Sequence, residues 1–452
     1  MEDPYEPMQV DIQDNVDGEN EKEAIISDIT EMEFDALIAN YEGSAKISRL
    51  IYVADHCPPF KLEALRLAIN CVMETSNINL YVSLVEKFNS YCASTNASKP
   101  IEINKKWLDT TKRSAAIKTE TLENDLKSFK SNSIKESIRR GYNDLGDHQL
   151  SCGEISLSLQ SFIRARDYCT SPRHIINMCI SVIKTSIQQK SWTNVLSYAS
   201  KAESIPELED ICKTDQYKNV KTFLNCTSGL AQLAQKRYQV AARRFLEANY
   251  EDCSFNEILT ANNIAIYGGI CSLVSFDRKE LHSKVICSSS FKLFLQAEPV
   301  LRDIISQFYE AKYAACLSSL EKLKNGLLLD IYLSSHINTL YTMIRNKALK
   351  QYCSPYVLAD LRRMAVAFNT TVPDLENELT ALILDGFIDA RIDSHNKVLH
   401  ARDIDHRTSA FEKALSVGKD YQRRMKALML RSIVLKNKIV VKTSSAENEN
   451  NN

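Results

Sequence analysis

The amino-acid sequence predicts an all-α protein: a helical-repeat array, then a compact helix-turn-helix block with one small β-hairpin, then a long C-terminal helix. Glycine and proline together number 21 (11 plus 10) in a chain of 452 residues, whereas average usage would give roughly 54. So few turn residues exclude an all-β sandwich or barrel and favour long helices. A repeat in the middle of the chain and a single alternating apolar stretch near its end complete the prediction.

The composition excludes several classes of protein. The apolar fraction of 44% and the charged fraction of 25% are ordinary for a folded protein, and the length suffices for about three domains. No apolar run approaches the ~18 residues of a membrane span. The 13 cysteines contain no Cys-x-x-Cys pair, and the segment after Met1 is polar and acidic. These features predict reduced thiols and a location in the cytoplasm and nucleus.

Charge is distributed unevenly along the chain. Residues 1–40 carry 13 acidic residues and one basic residue, Lys22, which is a net charge of -12. The whole chain has a net charge of -1, so the residues after 40 have a net charge of +11. The sequence therefore predicts an acidic disordered arm over residues 1–40. The polar residues 441–452 are predicted to form a disordered tail. A mildly basic body is compatible with acidic partners without requiring nucleic acid.

Residues 41–140 are predicted to form a group of N-terminal helices. Apolar residues spaced by three and four indicate helices over Gly43–Asp55 and Phe60–Glu74, with a break at Pro58. A polar helical pattern then extends over Trp107–Arg140. Because its apolar content is low, this segment is expected to lie across another surface.

A repeat within residues 141–285 predicts tetratricopeptide-like helical hairpins. Two sets share offsets of 12, 16 and 19 residues: Gly146, Ser158, Phe162 and Ala165, and then Gly229, Ala241, Phe245 and Ala248. A weaker set, Trp192, Val195, Ala199 and Ala202, has the spacing of Tyr238, Ala241, Phe245 and Ala248. Small residues let antiparallel helices approach, and the aromatic residue fills the gap. An irregular solenoid is favoured over two hairpins in a globular bundle, because one helix pair cannot bury its apolar face alone.

Residues 286–403 are predicted to form a further domain of helices ending in a winged helix. Its first part is expected to be helical over Phe291–Phe294, Val300–Tyr309, Tyr313–Leu323 and Leu327–Lys350, with Asn325 and Gly326 separating the last two helices. The winged helix occupies residues 354–403. It comprises a helix from Pro355 to Phe368, a second from Asp374 to Leu384, and a hairpin over Phe387–Ile392 and Val398–Ala401.

The last predicted element, residues 404–440, is an assembly helix running from about His406 to Lys438. At ~1.5 Å per residue, some 30 residues span about 45 Å, which is longer than a winged helix can cover. Part of its apolar stripe must therefore contact another chain. The predicted protein-contact residues are this stripe and the hairpin: Phe411, Leu415, Tyr421, Met425, Leu428 and Leu435, with Phe387, Ile388, Ile392, Val398 and Leu399.

No catalytic, cofactor-binding or metal-binding residue is predicted. The phosphate-loop, dinucleotide, nucleophile-elbow and His-Glu-x-x-His motifs are all absent from the sequence. The three histidines His395, His400 and His406 match no known ligand spacing, so they are interpreted as solvated side chains. The cysteines lie in no recognisable catalytic motif and are interpreted as buried apolar groups.

The charge of the winged helix argues against nucleic-acid binding. In helix-turn-helix proteins that read DNA, the second helix enters the major groove and carries basic or amide side chains. Here that helix has Asp374, Glu376, Glu378 and Asp385, and no basic residue. These four carboxylates would oppose a phosphate backbone.

A helical-repeat array followed by a winged helix and a C-terminal helix resembles the PCI-domain subunits of the proteasome lid, the COP-nine signalosome and a translation initiation factor complex. Within that group the sequence resembles the signalosome subunit-one family. The resemblance rests on Ile134–Glu203, Ile264–Tyr313 and Leu340–Asp405, which include the runs IKESIRRGYNDLGDHQLSCGE, IAIYGGICSLVSFDRKEL and SPYVLADLRRMAVAFNTTV.

The resemblance implies a non-catalytic scaffold subunit of the complex that removes the ubiquitin-like modifier Nedd8 from cullins and so regulates cullin-RING ubiquitin ligases. The isopeptidase of that complex is a different subunit with a His-x-His motif, which this sequence lacks. The family pattern places a PCI domain at residues 286–403 and implies winged helices arranged edge to edge, gathered C-terminal helices, and subunits two and three as neighbours. Cullin-RING ligases would be contacted through the assembled complex.

Two alternatives remain open. A PCI scaffold subunit of the proteasome lid or of the translation-initiation complex would share the fold. Only the specific sequence runs quoted above distinguish the signalosome family from these two. An enzyme would show turnover by the isolated chain, whereas a scaffold would show none.

Overall fold

A computed structural model of the chain describes residues 39–95, 100–206, 218–253, 255–401 and 406–438. It confirms the predicted class, since the described chain is almost entirely helical with one small sheet. The acidic arm, apart from residues 39 and 40, and the tail lie outside the described residues. No described helix is long and apolar enough to cross a membrane. The described residues divide into two compact units: those up to residue 351 with residues 367–369, and residues 352–366 with those from 370 onward.

The first unit begins with three helices that share one core. These are α1 (Gly43–His56), α2 (Lys61–Met73) and α3 (Ile78–Thr95), and their buried side chains form one apolar cluster that also includes Leu329 from much later in the chain. The proline-containing break between α1 and α2 is where the sequence predicts it. The N-terminal helices are thus held to the region around residue 329.

The long polar pattern over Trp107–Arg140 is two helices, so the prediction of one continuous segment is wrong. The structure has α4 (Lys105–Ser131) and α5 (Lys135–Ser151). Between them Ser133 adopts a left-handed conformation with φ 55°, and its N–H donates to Lys130 O at 3.2 Å. Serine at this position gives no turn signal as clear as that of glycine, so the break is hidden in the sequence.

Helical hairpins follow through the rest of the first unit. They comprise α5 with α6 (Ile155–Ala165), α7 (Pro172–Gln188) with α8 (Trp192–Glu203), and α9 (Lys218–Ala234) with α10 (Tyr238–Leu246). The later helices are α11 (Ala261–Ser275), α12 (Arg278–Leu281), α13 (Ser289–Ala297), α14 (Pro299–Tyr309), α15 (Tyr313–Leu328) and α16 (Ile337–Cys353). The predicted break at Asn325 and Gly326 is wrong, because α15 continues through both residues.

The close contacts predicted by the repeat are confirmed. A Cβ added at Gly146 would lie 2.7 Å from Phe162 Cε1, and one added at Gly229 would lie 3.0 Å from Phe245 Cε1. The Ser158 hydroxyl also donates to the Gly146 carbonyl at 2.8 Å. Glycine is therefore needed in these two helices because an aromatic ring from the partner helix occupies the space of its side chain.

The same turn joins the helices of four hairpins. In each, the second residue after the first helix is left-handed: Gly153 (φ 86°), Lys190 (φ 61°), Lys236 (φ 61°) and Ala311 (φ 62°). The N–H of the residue that follows the left-handed one donates a hydrogen bond at 2.9 Å to the carbonyl five residues earlier, as Glu154 N does to Gln149 O. This is the Schellman arrangement, which satisfies the last carbonyls of a helix.

A buried ion pair connects the first helix to the end of the repeat region. Arg49 Nη1 on α1 lies 3.4 Å from Asp330 Oδ2, which follows α15. The other oxygen, Asp330 Oδ1, accepts from the Tyr267 hydroxyl at 2.6 Å and from Tyr332 N at 3.0 Å. The Arg49 guanidinium also lies 4.0 Å from the centre of the Tyr41 ring. Burial opposes the charged form of Arg49, but Asp330 and the nearby tyrosines outweigh it and raise the pKa, so the guanidinium stays charged.

The second unit contains the winged helix. Its elements are β1 (Leu358–Asp360), α17 (Leu361–Ala367), α18 (Val372–Leu384), β2 (Ala390–Asp393), β3 (Val398–Ala401) and α19 (His406–Lys436). The strands form an antiparallel sheet in the order β1-β3-β2. The α18 helix starts at the Thr371 cap and ends before Gly386, which is left-handed with φ 73°.

The predicted helix from Pro355 to Phe368 is wrong over its first half. Residues 358–360 form β1 instead, pairing Ala359 with Leu399 of β3, and helix α17 begins only at Leu361. Pairing with a strand some 40 residues later overrides the local helical pattern. The predicted hairpin is therefore the larger part of a three-stranded sheet.

We expect Gly146→Ala to lower the free energy of unfolding by about 1 to 3 kcal/mol, because the new methyl group overpacks against Phe162. The matched control is Gly326→Ala in α15, where a Cβ meets nothing within 4 Å, and which should raise stability by roughly 0.5 to 1 kcal/mol. Chemical denaturation monitored by circular dichroism measures both. Equal effects at the two sites would contradict the proposed packing.

We also expect Asp330→Ala to cost about 3 to 5 kcal/mol of stability, because it leaves Arg49 buried without its partner. Asp303→Ala is the control: Asp303 pairs with Arg302, but both side chains are more than half exposed, so the loss should stay below about 1 kcal/mol. Thermal melting of the two variants makes the comparison. Similar melting temperatures would show that the buried pair does not hold α1 in place.

Candidate protein-interaction surfaces

The hairpin residues predicted as protein contacts are not equally accessible. Phe387 is 57% exposed and precedes β2, whereas Ile388 and Leu399 are buried. Ile392 and Val398 are half-buried, and Ile392 is the register partner of Leu399. Most of these apolar side chains therefore belong to the winged helix's own core. Of this group, Phe387 presents the most surface to a partner.

The sheet edges differ from those of the predicted two-stranded hairpin, in which both strands would be edges. Strand β3 is central and pairs on both sides, so the two edge strands are β1 and β2. Backbone N–H and C=O groups on an edge strand can extend a sheet into another chain. The exposed apolar residues nearest β1 are Tyr356, Val357 and Leu358, with Val357 74% exposed. Sequence reasoning missed them because it placed them in a helix.

The electrostatics of the winged helix favour a protein partner. Three of the four predicted acidic residues lie within helix α18, and one of them, Glu376, accepts a hydrogen bond from Lys397 Nζ at 2.8 Å. The turn between β2 and β3 is organised by Asp393, whose carboxylate accepts N–H groups from His395 and Asn396. Hydrogen bonds from Asn396 lower the pKa of Asp393, which keeps it charged. Helix α18 has three acidic residues and no basic one, which suits a basic or apolar protein surface better than a phosphate backbone.

Helix α19 exposes nearly all of its surface. Of its predicted contact residues, Phe411, Leu415, Tyr421, Leu428 and Leu435 are exposed and Met425 is half-buried. Eight basic residues against two acidic ones give the helix a balance of +6. Soluble proteins rarely leave a long apolar face uncovered, so such a face marks an interaction site.

The apolar face of α19 contains more residues than the predicted stripe. At about 100° per residue, the predicted residues cover roughly 160° of the helix. Val417, Met429 and Ile433 lie within the same arc and are all exposed. They could have been found from the same helical periodicity. An ordinary surface helix needs an apolar stripe of only about 100°. The width of this face therefore suits contact with more than one neighbouring helix.

Most of the described thiols are poorly suited to nucleophilic chemistry. Twelve cysteines lie in the described residues, and all are free. Burial raises the pKa of Cys253, Cys271 and Cys316 to about 12, and that of Cys57 and Cys179 to about 11. The thiolate is the reactive form, so these groups are unreactive at neutral pH. Within the same residues no cluster of three potential metal ligands occurs.

A helical-repeat array, a three-stranded winged helix and an exposed C-terminal helix define the class of PCI-domain subunits. Sequence models of three families match successive parts of the chain: 26S proteasome subunit RPN7 at residues 104–284, the PCI domain at 320–403, and the C-terminal helix of COP9 signalosome complex subunit 1 at 407–432. The last match covers most of α19.

The chain belongs to the family of COP9 signalosome complex subunit 1. It is 46% identical to subunit 1b of Drosophila melanogaster over all of this chain and 94% of that protein. It is 44% identical to subunit 1 of Arabidopsis thaliana over 90% of each chain. A rice 26S proteasome non-ATPase regulatory subunit 6 is 24% identical over 46% of this chain and 53% of its own length. The resemblance seen in the sequence is confirmed, and the protein is a signalosome subunit that assembles with other signalosome subunits.

Proposed function

We propose that this chain is a non-catalytic scaffold subunit of the signalosome, and that the assembled complex removes Nedd8 from cullins and so regulates cullin-RING ligases. The observation that carries the scaffold role is α19, a helix of 31 residues with a wide apolar face left exposed. Such a face is costly to leave in water, since burying one leucine side chain contributes about 1.5 to 3 kcal/mol. Other subunits supply the surface that covers it.

The non-catalytic part of the proposal is supported by the chemistry of the side chains. The described cysteines with resolved shifts have raised pKa values, and the sequence lacks the His-x-His pattern of the isopeptidase. The isopeptidase therefore belongs to another subunit. Cullin-RING ligases are proposed to meet this chain only through the complex, with subunits two and three as its neighbours.

A proteasome-lid role is the second candidate, because the RPN7 family matches residues 104–284. The match to the C-terminal helix of signalosome subunit 1 favours the signalosome. A translation-initiation subunit has no comparable support. The free thiols support the proposed location in the reducing cytoplasm and nucleus, which fluorescence microscopy of a tagged chain can check.

The scaffold proposal predicts that Leu428→Asp weakens assembly by at least about tenfold. The substitution places a charge where an apolar contact of roughly 1.5 to 3 kcal/mol should form, and Leu428 lies on the apolar face. Leu430→Asp is the matched control: it is the same change on the same helix, about 200° around it, at a residue that is similarly exposed. Co-purification with the other signalosome subunits, quantified by mass spectrometry, measures both.

Normal recovery of the complex with Leu428→Asp would contradict the role of α19. Equal loss with both variants would indicate a general effect of charge on the helix. Recovery of proteasome-lid subunits in place of signalosome subunits would favour the second candidate.

The winged helix is proposed to dock edge to edge with a neighbour's winged helix. Hydrogen exchange should slow at one of the edge strands, 358–360 or 390–393, when the complex forms, because free backbone groups there become paired. Strand β3 should change least, since it already pairs on both sides. Unchanged exchange at both edges, together with protection of α18 by duplex DNA, would overturn protein docking in favour of nucleic-acid binding.

A further inference from the structure

A cavity of about 290 Å³ opens to the surface of the first unit beside the start of α1. Exposed residues of α1 and of the turn after α7 form its mouth. Most of the remaining lining is apolar: Ala45, Leu150, Ile187, Ile258, Ile331 and Tyr332. An apolar cavity of roughly 150 Å³ is large enough to bind benzene. The cavity beside α1 therefore has room for an aromatic ring and part of a neighbouring side chain.

The mouth of the cavity carries one positive charge that no described acid neutralises. Lys184 Nζ lies 2.6 Å from Glu257 Oε2, and Arg49 pairs with Asp330, so these lining charges are compensated. Lys190 also lines the cavity, but it is exposed and forms no ion pair with a described residue. An apolar cavity with a basic mouth is complementary to a segment in which apolar and acidic side chains lie next to each other.

The end of the acidic arm is a segment of this kind. Residues 31–38 lie outside the described residues and have the sequence EMEFDALI, in which three acids alternate with Met32, Phe34 and Ala36 and no basic residue occurs. Phe34 and Tyr5 are the aromatic residues of the arm. The C-terminal residues 439–452 contain no aromatic residue. The last eight residues of the arm therefore match both the apolar interior and the basic mouth.

The arm is attached to the chain at the cavity itself. Tyr41 is buried, and Gly43, which is left-handed with φ 59°, lines the cavity. Phe34 precedes Gly43 by nine residues (43 minus 34), which span at most about 30 Å when extended and about 14 Å when helical. The cavity is within reach in either conformation. So short a tether gives an effective concentration of about millimolar, so a modest apolar contact is sufficient for docking.

We propose that the end of the acidic arm, residues 31–38, docks in this cavity of its own chain. The ring of Phe34 occupies the apolar interior, and the neighbouring carboxylates of Glu33 and Asp35 face Lys190 at the mouth. The docked arm covers the start of α1 and the turn after α7. All the lining residues belong to the first unit, so the proposal does not depend on the scaffold role of α19.

Photo-cross-linking in the full-length chain tests the contact. Phe34→p-benzoylphenylalanine places a benzophenone where the ring should lie. Mass spectrometry of the irradiated monomer should then locate the adducts in the lining, at residues 43–49, 184–190, 257–258 or 331–332. Tyr5→p-benzoylphenylalanine is the matched control, because it is the same probe near the other end of the same arm, and it should give no adducts there.

Two changes to the cavity in the chain that carries the probe at position 34 complete the test. Ser48 is exposed and lines the cavity, so Ser48→Trp should fill the cavity and abolish the adducts. Lys190→Gln should lower the ratio of docked to free arm by up to about fivefold, the factor for one charge roughly 4 Å away at water-like screening. Lys236→Gln is the control: Lys236 occupies the same turn one hairpin later, with φ 61°, but does not line the cavity.

Three outcomes would overturn the proposal. The first is adducts of the probe at position 34 that lie outside the lining, or that match those of the probe at position 5. The second is an equal effect of the Lys190 and Lys236 variants on the yield. The third is adducts at the lining in a product of twice the mass, which would assign the cavity to the arm of a second copy.

Discussion

The buried contact of Arg49 with Asp330 constrains the first unit more than any local preference does. These residues are 281 positions apart in sequence (330 minus 49), yet their side chains are 9% and 13% exposed and lie 3.4 Å apart. Closing so long a loop costs conformational entropy, and the core that α1–α3 share with Leu329 offsets that cost. The ion pair adds specificity: a buried charge must meet its partner, so only one placement of α1 is acceptable.

The repeat could be predicted only where its residues are chemically distinctive. Gly146 with Phe162 and Gly229 with Phe245 share a spacing of 16 residues, and the structure has two more pairs at the same spacing: Ile183 with Ala199, and Ile304 with Leu320, all buried. In the second hairpin the large residue lies on the first helix and the small one on the second. Ile with Ala has about the same total volume as Gly with Phe, whereas Ile304 and Leu320 are both large. The last hairpin therefore could not be recognised by the pattern of small and aromatic residues.

Tertiary contacts also explain the turns that lack glycine and the missed strand. The turns at Lys190, Lys236 and Ala311 are left-handed without glycine, because two hydrogen bonds per turn and the packing of the flanking helices outweigh a local strain of about 1 to 2 kcal/mol. Residues 358–360 have a helical pattern in sequence but pair with β3. At both kinds of position the local sequence does not decide the conformation. Pattern reasoning succeeds for α18 and α19, where long periodic segments have clear starts.

Two kinds of contact divide the properties of this chain. The exposed face of α19 is apolar and wide, so its affinity for a partner scales with buried area and falls steeply when a charge is introduced. The contact of Arg49 with Asp330 is polar and buried, so its contribution depends on each charge keeping its partner. Assembly and the placement of α1 are thus carried by chemically different groups, and each can be altered by substitutions that leave the other intact.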